Sequence, residues 1–366
     1  MSFRLNTPKK DGFKMPAENE PHAAIIMAWP ERRDNWRDNG IPAKIAFSKV
    51  AQVIIKTTPV IMIVSERCFK EAREMLGPEV EIIIMEYDDI WMRDIGPTFV
   101  VNDKGERRGI DWIFNAWGGV VNGLYSPWEN DDKIASAICI QLRNYYYRAP
   151  IVLEGGAFHV DGDGTLYTTE ECLLNEGRNP LLEKNEISEH LKNYLNVETV
   201  IWLPYGLYND ETNGHIDNIM HIVKPGEVVL AWTDDENNPQ YERSKLALEA
   251  LSSQRDAKGR NIIVHKLPLP RKKFIPNDYH SEYYGAKGVK RYPGEQLAAS
   301  YTNYLITNKS IIYPLLDCEL DDLIKEILCD LYPYYTVTGV DSLEILLGGG
   351  NIHCITQQVP VDSTTY

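Results

Sequence analysis

Apolar residues along this chain follow two periods. Short strand-like runs recur at residues 24–28, 60–64, 81–85, 97–101, 151–153, 219–223, 228–232, 262–265 and 303–307. Between many of them the spacing changes to i, i+3, i+4. Leu320, Leu323, Ile324, Ile327, Leu328 and Leu331 line one face of a predicted helix, and Phe47, Val50, Val53 and Ile54 line another. Strands alternating with helices predict an α/β protein. Polar clusters interrupt the pattern at intervals: MAWPERRDNW near residue 30, WMRDIGP near 94, LEGGAFHVDGDG near 154, NGHIDN near 215 and GGGNIHC near 354. Asp94 to Glu154 is 60 residues, Glu154 to His215 is 61, and His215 to Cys354 is 139, a little over two such steps. The spacing predicts a degenerate internal repeat that brings each cluster to one shared centre, although no residue pattern visibly repeats. No Ser/Gly linker or composition step divides the chain, so residues 1–366 read as one domain.

Length and charge narrow the function classes. A chain of 366 residues can bury a sizeable core. The longest apolar run, 23–29, has seven residues, where a bilayer span needs roughly 20. The polar first 22 residues contain no apolar stretch of the kind a secretory signal requires, which predicts a cytoplasmic protein. With 53 acidic against 38 basic side chains the formal net charge is −15, and the basic residues are scattered. Nucleic acid and anionic membrane are therefore excluded as expected partners. Such a field attracts cations, but it also serves plain solubility, and charge alone favours the latter.

Six cysteines are spread without CxxC pairs or a zinc-ribbon spacing. Cys68, Cys139, Cys172, Cys318 and Cys329 sit in helical or mixed segments and read as structural thiols. Cys354 follows three glycines and an extended stretch, a context that allows close approach to the backbone. By residue type alone, a reactive thiol and a core thiol both remain open there. His215 and Asp217 alternate, so an extended backbone points both to one face. They suit proton transfer beside a carboxylate as well as a polar strand end; the spacing to His221 matches no common metal-ligand pattern. Glu154 ends an apolar run, where a carboxylate needs a cation, either a protein side chain or a ligand. Asp94, beside Arg93, poses the same choice. HVDGDGTLYTTE fails the calcium-loop register and reads as an Asp/Gly hairpin turn. Phosphate-loop, dinucleotide and serine-hydrolase motifs are missing, so neither cofactor nor metal is expected.

One thiol, one imidazole and several carboxylates fit the chemistry of a guanidinium. Its carbon is a poor electrophile because the charge is spread over three nitrogens. Carboxylates can grip those nitrogens through charge-assisted hydrogen bonds, each contributing roughly 1.5–3 kcal/mol, and hold the carbon beside a thiolate. A histidine can protonate departing ammonia and then activate water against the thiouronium, which leaves a ureido group.

Taken in order, WMRDIGP, EGG, NGHIDN and GGGNIHCITQQ resemble the agmatine deiminase family, within the peptidyl-arginine deiminase-like branch of the guanidine-modifying superfamily. The resemblance runs from Trp29 to Gln358. It implies a five-bladed, pseudo-symmetric α/β propeller around one site, hydrolysis of the small cation agmatine without a cofactor, and a homo-oligomer. It also implies that Cys354 is the nucleophile, His215 the general acid/base and Glu154 its support, with Asp94 and Asp217 gripping the guanidinium. Glu211 matches a position that holds the distal amine, and Trp91 and Trp117 are candidates for walling the aliphatic chain. Ala157 and Val359 stand where the family often has polar residues, which bears on rate rather than reaction type. An arginine or peptidyl-arginine deiminase, an amidinotransferase and a catalytically idle polyamine binder are the alternatives.

Overall fold

Among the described residues the strands sort into five sheets. In the computed structural model, which describes residues 3–277, 279 and 291–364, one local pattern recurs in all five. A first strand pairs antiparallel with a second, and a helix then carries the chain to a third strand parallel to the second. Antiparallel neighbours need only a tight turn, whereas parallel ones require a crossover, so the alternation of short and long connections dictates the order. The units comprise Thr98–Asn102, Arg107–Ile113, helix Asp131–Gln141 and Tyr145–Val152; Phe158–Val160, Thr165–Thr169, helix Lys184–Leu195 and Thr199–Leu203; Met220–Lys224, Glu227–Trp232, helix Gln240–Ser253 and Ile263–Pro268; and Leu305–Ile306, Ser310–Leu315, helix Asp321–Leu331 and Thr336–Asp341. The fifth joins distant parts of the chain. Its first strand, Gln357–Pro360, lies antiparallel to His22–Ala28, and helix Ile41–Ile54 leads on to Val60–Val64.

Packing follows from the patterning. Val60–Val64 is buried along its whole length, as expected of a strand flanked by parallel neighbours. Phe47, Val50 and Ile54 turn the buried face of their helix toward this sheet, each such side chain contributing roughly 1.5–3 kcal/mol on removal from water. The stripe on helix Asp321–Leu331 is narrower than its periodicity predicts: Ile324 and Leu328 are buried, but Leu323 is 43% exposed. The run at 151–153 is the end of a longer strand, Tyr145–Val152, while 303–307 shrinks to Leu305–Ile306 because Asn303 is drawn into polar contacts. The Asp/Gly turn is confirmed: residues 161–164 link two antiparallel strands, with Asp161 Oδ1 accepting from the amides of Asp163 and Thr165. Among the described residues, no helix is long and apolar enough to cross a membrane.

Candidate active site

Each unit enters its first strand through a short irregular turn, and these turns carry the polar clusters. Asp94 lies on Met92–Ile95, before Thr98–Asn102. Glu154 precedes the 3-10 turn Gly155–Ala157, and His215 precedes the similar turn Ile216–Asn218, which contains Asp217. Asn303 stands two residues ahead of Leu305–Ile306, and Cys354 three ahead of Gln357–Pro360.

The turns converge closely enough to exclude a side chain. A Cβ added to Gly156 would lie 2.6 Å from His215 Nδ1, 2.9 Å from Asp94 Oδ1 and 3.1 Å from Asp217 Oδ2. At Gly350 it would meet the Trp91 ring at 2.4 Å and Cys354 Cβ at 3.1 Å. Asn303 Nδ2 donates to Cys354 Sγ at 3.1 Å, and its Oδ1 accepts from the His353 amide at 2.9 Å. Cys354 Sγ lies 3.7 Å from Asp217 Oδ2. Asp94 accepts from the Gly156 amide and from Trp117 Nε1, both at 2.9 Å. His215 stands 3.9 Å from Asp94 through Nδ1 and 3.7 Å from Glu154 through Nε2. Glu154 pairs with Arg178 at 2.7 Å, both side chains fully buried. This resolves the question its position raised, since the partner cation is a protein side chain.

Burial sets the starting point of the electrostatics, and neighbours decide the outcome. Burial raises the Asp94 carboxyl to about 6, against His215 and with help from Asp217 and Glu154. For Glu154 the same burial is overcome by Arg178, and for Asp217 by His353, so both stay below the usual carboxylate range. Burial opposes the His215 cation, but Asp94, Cys172 and Glu154 outweigh it and hold the imidazole well above its ordinary value. The Cys354 thiol is pushed well up by burial and then by Asp217 and Asp94.

A cavity opens onto Cys354, His215 and Asp94. Trp91 and Trp117 line it, edge to face at 6.4 Å. Glu211 lines it too, but its carboxylate is engaged by Arg291 through Nε at 2.9 Å and Nη2 at 2.6 Å. Asp217 and Glu154 are fully buried, set behind the cavity surface. Two groups bring possible metal ligands together among the described residues, His159 with His221 and His353, and Glu154 with Cys172 and His215. In the first, both ring nitrogens of His353 already face carboxylates; in the second, Glu154 is taken by Arg178.

Sequence reading missed Asn303, Arg178, His353 and the placement of Cys172 beside His215. The repeat spacing held a signal for Asn303, because a gap of 139 residues between His215 and Cys354 leaves room for one more unit. Arg178 had none: it reaches Glu154 from an irregular segment with no local pattern.

Among the described residues, turns of five α/β units bring a thiol, an imidazole, an amide and carboxylates together at one cavity. The chain belongs to the Porphyromonas-type peptidyl-arginine deiminase family, whose model matches residues 14–360. It is 57% identical over 361 residues to a protein of Photobacterium profundum that carries the name agmatine deiminase, covering 98% of this chain and 99% of that one. A Listeria monocytogenes protein of the same name is 53% identical over 357 residues, covering 97% and 98%. Among solved structures, the agmatine deiminase of Enterococcus faecalis superposes with a TM-score of 0.95 at 47% identity, covering 98% of each chain.

Proposed function

We propose that this chain hydrolyses agmatine to N-carbamoylputrescine and ammonia, and that its five units form a single propeller-like domain around the cavity. The observation that carries this reading is the placement of Cys354 and His215 beside Asp94 and Asp217, four buried groups from three separate turns. Asp94 and Asp217 grip the guanidinium. A bound cation neutralises the two carboxylates that hold the thiol proton in place, so Cys354 releases it to solvent through the open cavity and Sγ forms a bond to the guanidinium carbon as its C=N π pair moves onto nitrogen. His215, held protonated by its acidic neighbours, gives its proton to the departing nitrogen as the C–N bond breaks and ammonia leaves. The neutral imidazole then takes a proton from water, hydroxide attacks the thiouronium carbon, and the C–S bond breaks as the hydroxyl proton passes to the departing sulfur, which restores the thiol and leaves a neutral ureido group. Glu154, fixed by Arg178, keeps His215 in position. The neutral ureido product no longer matches the carboxylates, which favours its release.

Trp91 and Trp117 wall the aliphatic chain, and Glu211 meets the distal amine while sharing its charge with Arg291. Arg291 favours a second reading, because a guanidinium at the distal end also suits the α-carboxylate of free arginine. Ureido product and ammonia should form from agmatine in preference to arginine and to a blocked arginine peptide, and Cys354→Ala should abolish turnover. No turnover of agmatine, or full activity in the variant, would overturn the assignment.

A further inference from the structure

His353, next in sequence to Cys354, is 1% exposed and lies between two acids. Its Nδ1 is 2.8 Å from Asp217 Oδ2 and its Nε2 is 2.9 Å from Glu18 Oε2. Only the doubly protonated ring donates on both sides; a neutral ring would set a lone pair against a carboxylate. The remaining neighbours fit a single cation between two anions. The rings of His159 and His221 stand 5.2 Å and 5.3 Å away, both driven toward the neutral form, chiefly by burial. Arg93, bonded to the His353 carbonyl at 3.3 Å, opposes the charge, and the thiol of Cys354 adjoins Asp217. Glu18 is itself fixed, its other oxygen accepting from the Ile306 amide at 3.1 Å. On Asp217, the second oxygen Oδ1 is buried with no hydrogen-bond partner among the described residues. Such an orphan acceptor is costly unless something meets it.

We propose that Glu18, through the imidazolium of His353, keeps Asp217 ionised and turned so that Oδ1 is left for a guanidinium N–H. Glu18 and His353 are thus positioning residues, and a side chain ahead of strand His22–Ala28 acts on a site formed by the later turns. The inference rests on the reading of Asp217 as a guanidinium acceptor. Without the cation, Asp217 would lose the partner that does most to offset its burial, and Oδ2 would no longer be held, so Oδ1 would no longer be aimed at the guanidinium.

The test compares wild type, Glu18→Gln and Glu18→Asp, with thermal unfolding to show that each folds. In the wild type, KM for agmatine should stay level between about pH 6 and 8. In Glu18→Gln the imidazole has lost one of its two acids, so it should shed its proton in that window, and KM should climb about tenfold with rising pH while kcat changes less than about threefold. Glu18→Asp should restore much of the level profile. Nitrogen NMR of the His353 ring should show both nitrogens protonated at pH 8 in the wild type and not in Glu18→Gln. Parallel KM profiles, or a neutral ring in the wild type at pH 7, would overturn the proposal. A folded wild type that does not turn over agmatine would sink the functional reading instead; calorimetric titration with a plain alkylguanidine, read for the same Glu18→Gln loss, then decides the inference.

Discussion

Asp94 shows how a single side chain can be placed against its own preference. Its carboxyl, at about 6 in the folded protein and near 3.8 as a free group, resists ionisation because it is buried beside other acids. The sign follows: a raised folded value contributes stability that is fully present below about pH 3.8 and is lost as pH rises through about 6. Asp94→Asn carries no such penalty. Relative to wild type, the variant should therefore gain on the order of 3 kcal/mol between pH 4 and pH 8, measured by urea unfolding, while agmatine turnover collapses. A stability gap that does not move with pH would refute the placement. His215 and Cys354 carry the same tension in other forms, one held charged by Asp94 and Glu154, the other held neutral by burial and then by Asp217 and Asp94.

At the level of elements, the turns ahead of the first strands are where chemistry and backbone meet. Gly156 lies where the turns carrying Asp94, Glu154 and His215 pass closest, and Gly156→Ala would force its methyl to within 2.6 Å of the His215 ring. We expect kcat/KM to fall by at least about 100-fold, since misplacing reacting groups by about 1 Å costs that much, with the far-UV circular dichroism spectrum kept. Retained activity would show that the turns have slack. These turns also explain what the sequence revealed. Asp94, Glu154, His215, Asp217 and Cys354 were legible because glycines and polar residues break an apolar pattern there. Asn303 was hidden because TNYLIT reads as one strand-like run. Strands such as Arg107–Ile113 escaped because Arg107, Arg108 and Asp111 interrupt their apolar residues, and those charges are satisfied by partners distant in sequence. Glu18 and His353 were invisible for a related reason: their pairing spans 335 residues and leaves no local trace.

Across the whole molecule, the proposed substrate gives the excess of acid a use that composition alone did not favour. A net charge of −15 around a cavity that takes a dication should raise the capture rate. Added salt should then lower kcat/KM for agmatine while kcat stays nearly constant, because screening acts on encounter and not on buried chemistry. A flat kcat/KM would return the charge to solubility.

The fifth sheet has a consequence in time. Gln357–Pro360 pairs with His22–Ala28, and Cys354 sits in the turn that this pairing anchors. During synthesis, residues 22–28 leave the ribosome long before their partner strand exists, so Cys354 is seated only after more than 300 further residues have been added. On the proposed chemistry a growing chain is therefore silent, and one cut short ahead of residue 354 should stay so however well its other four units fold.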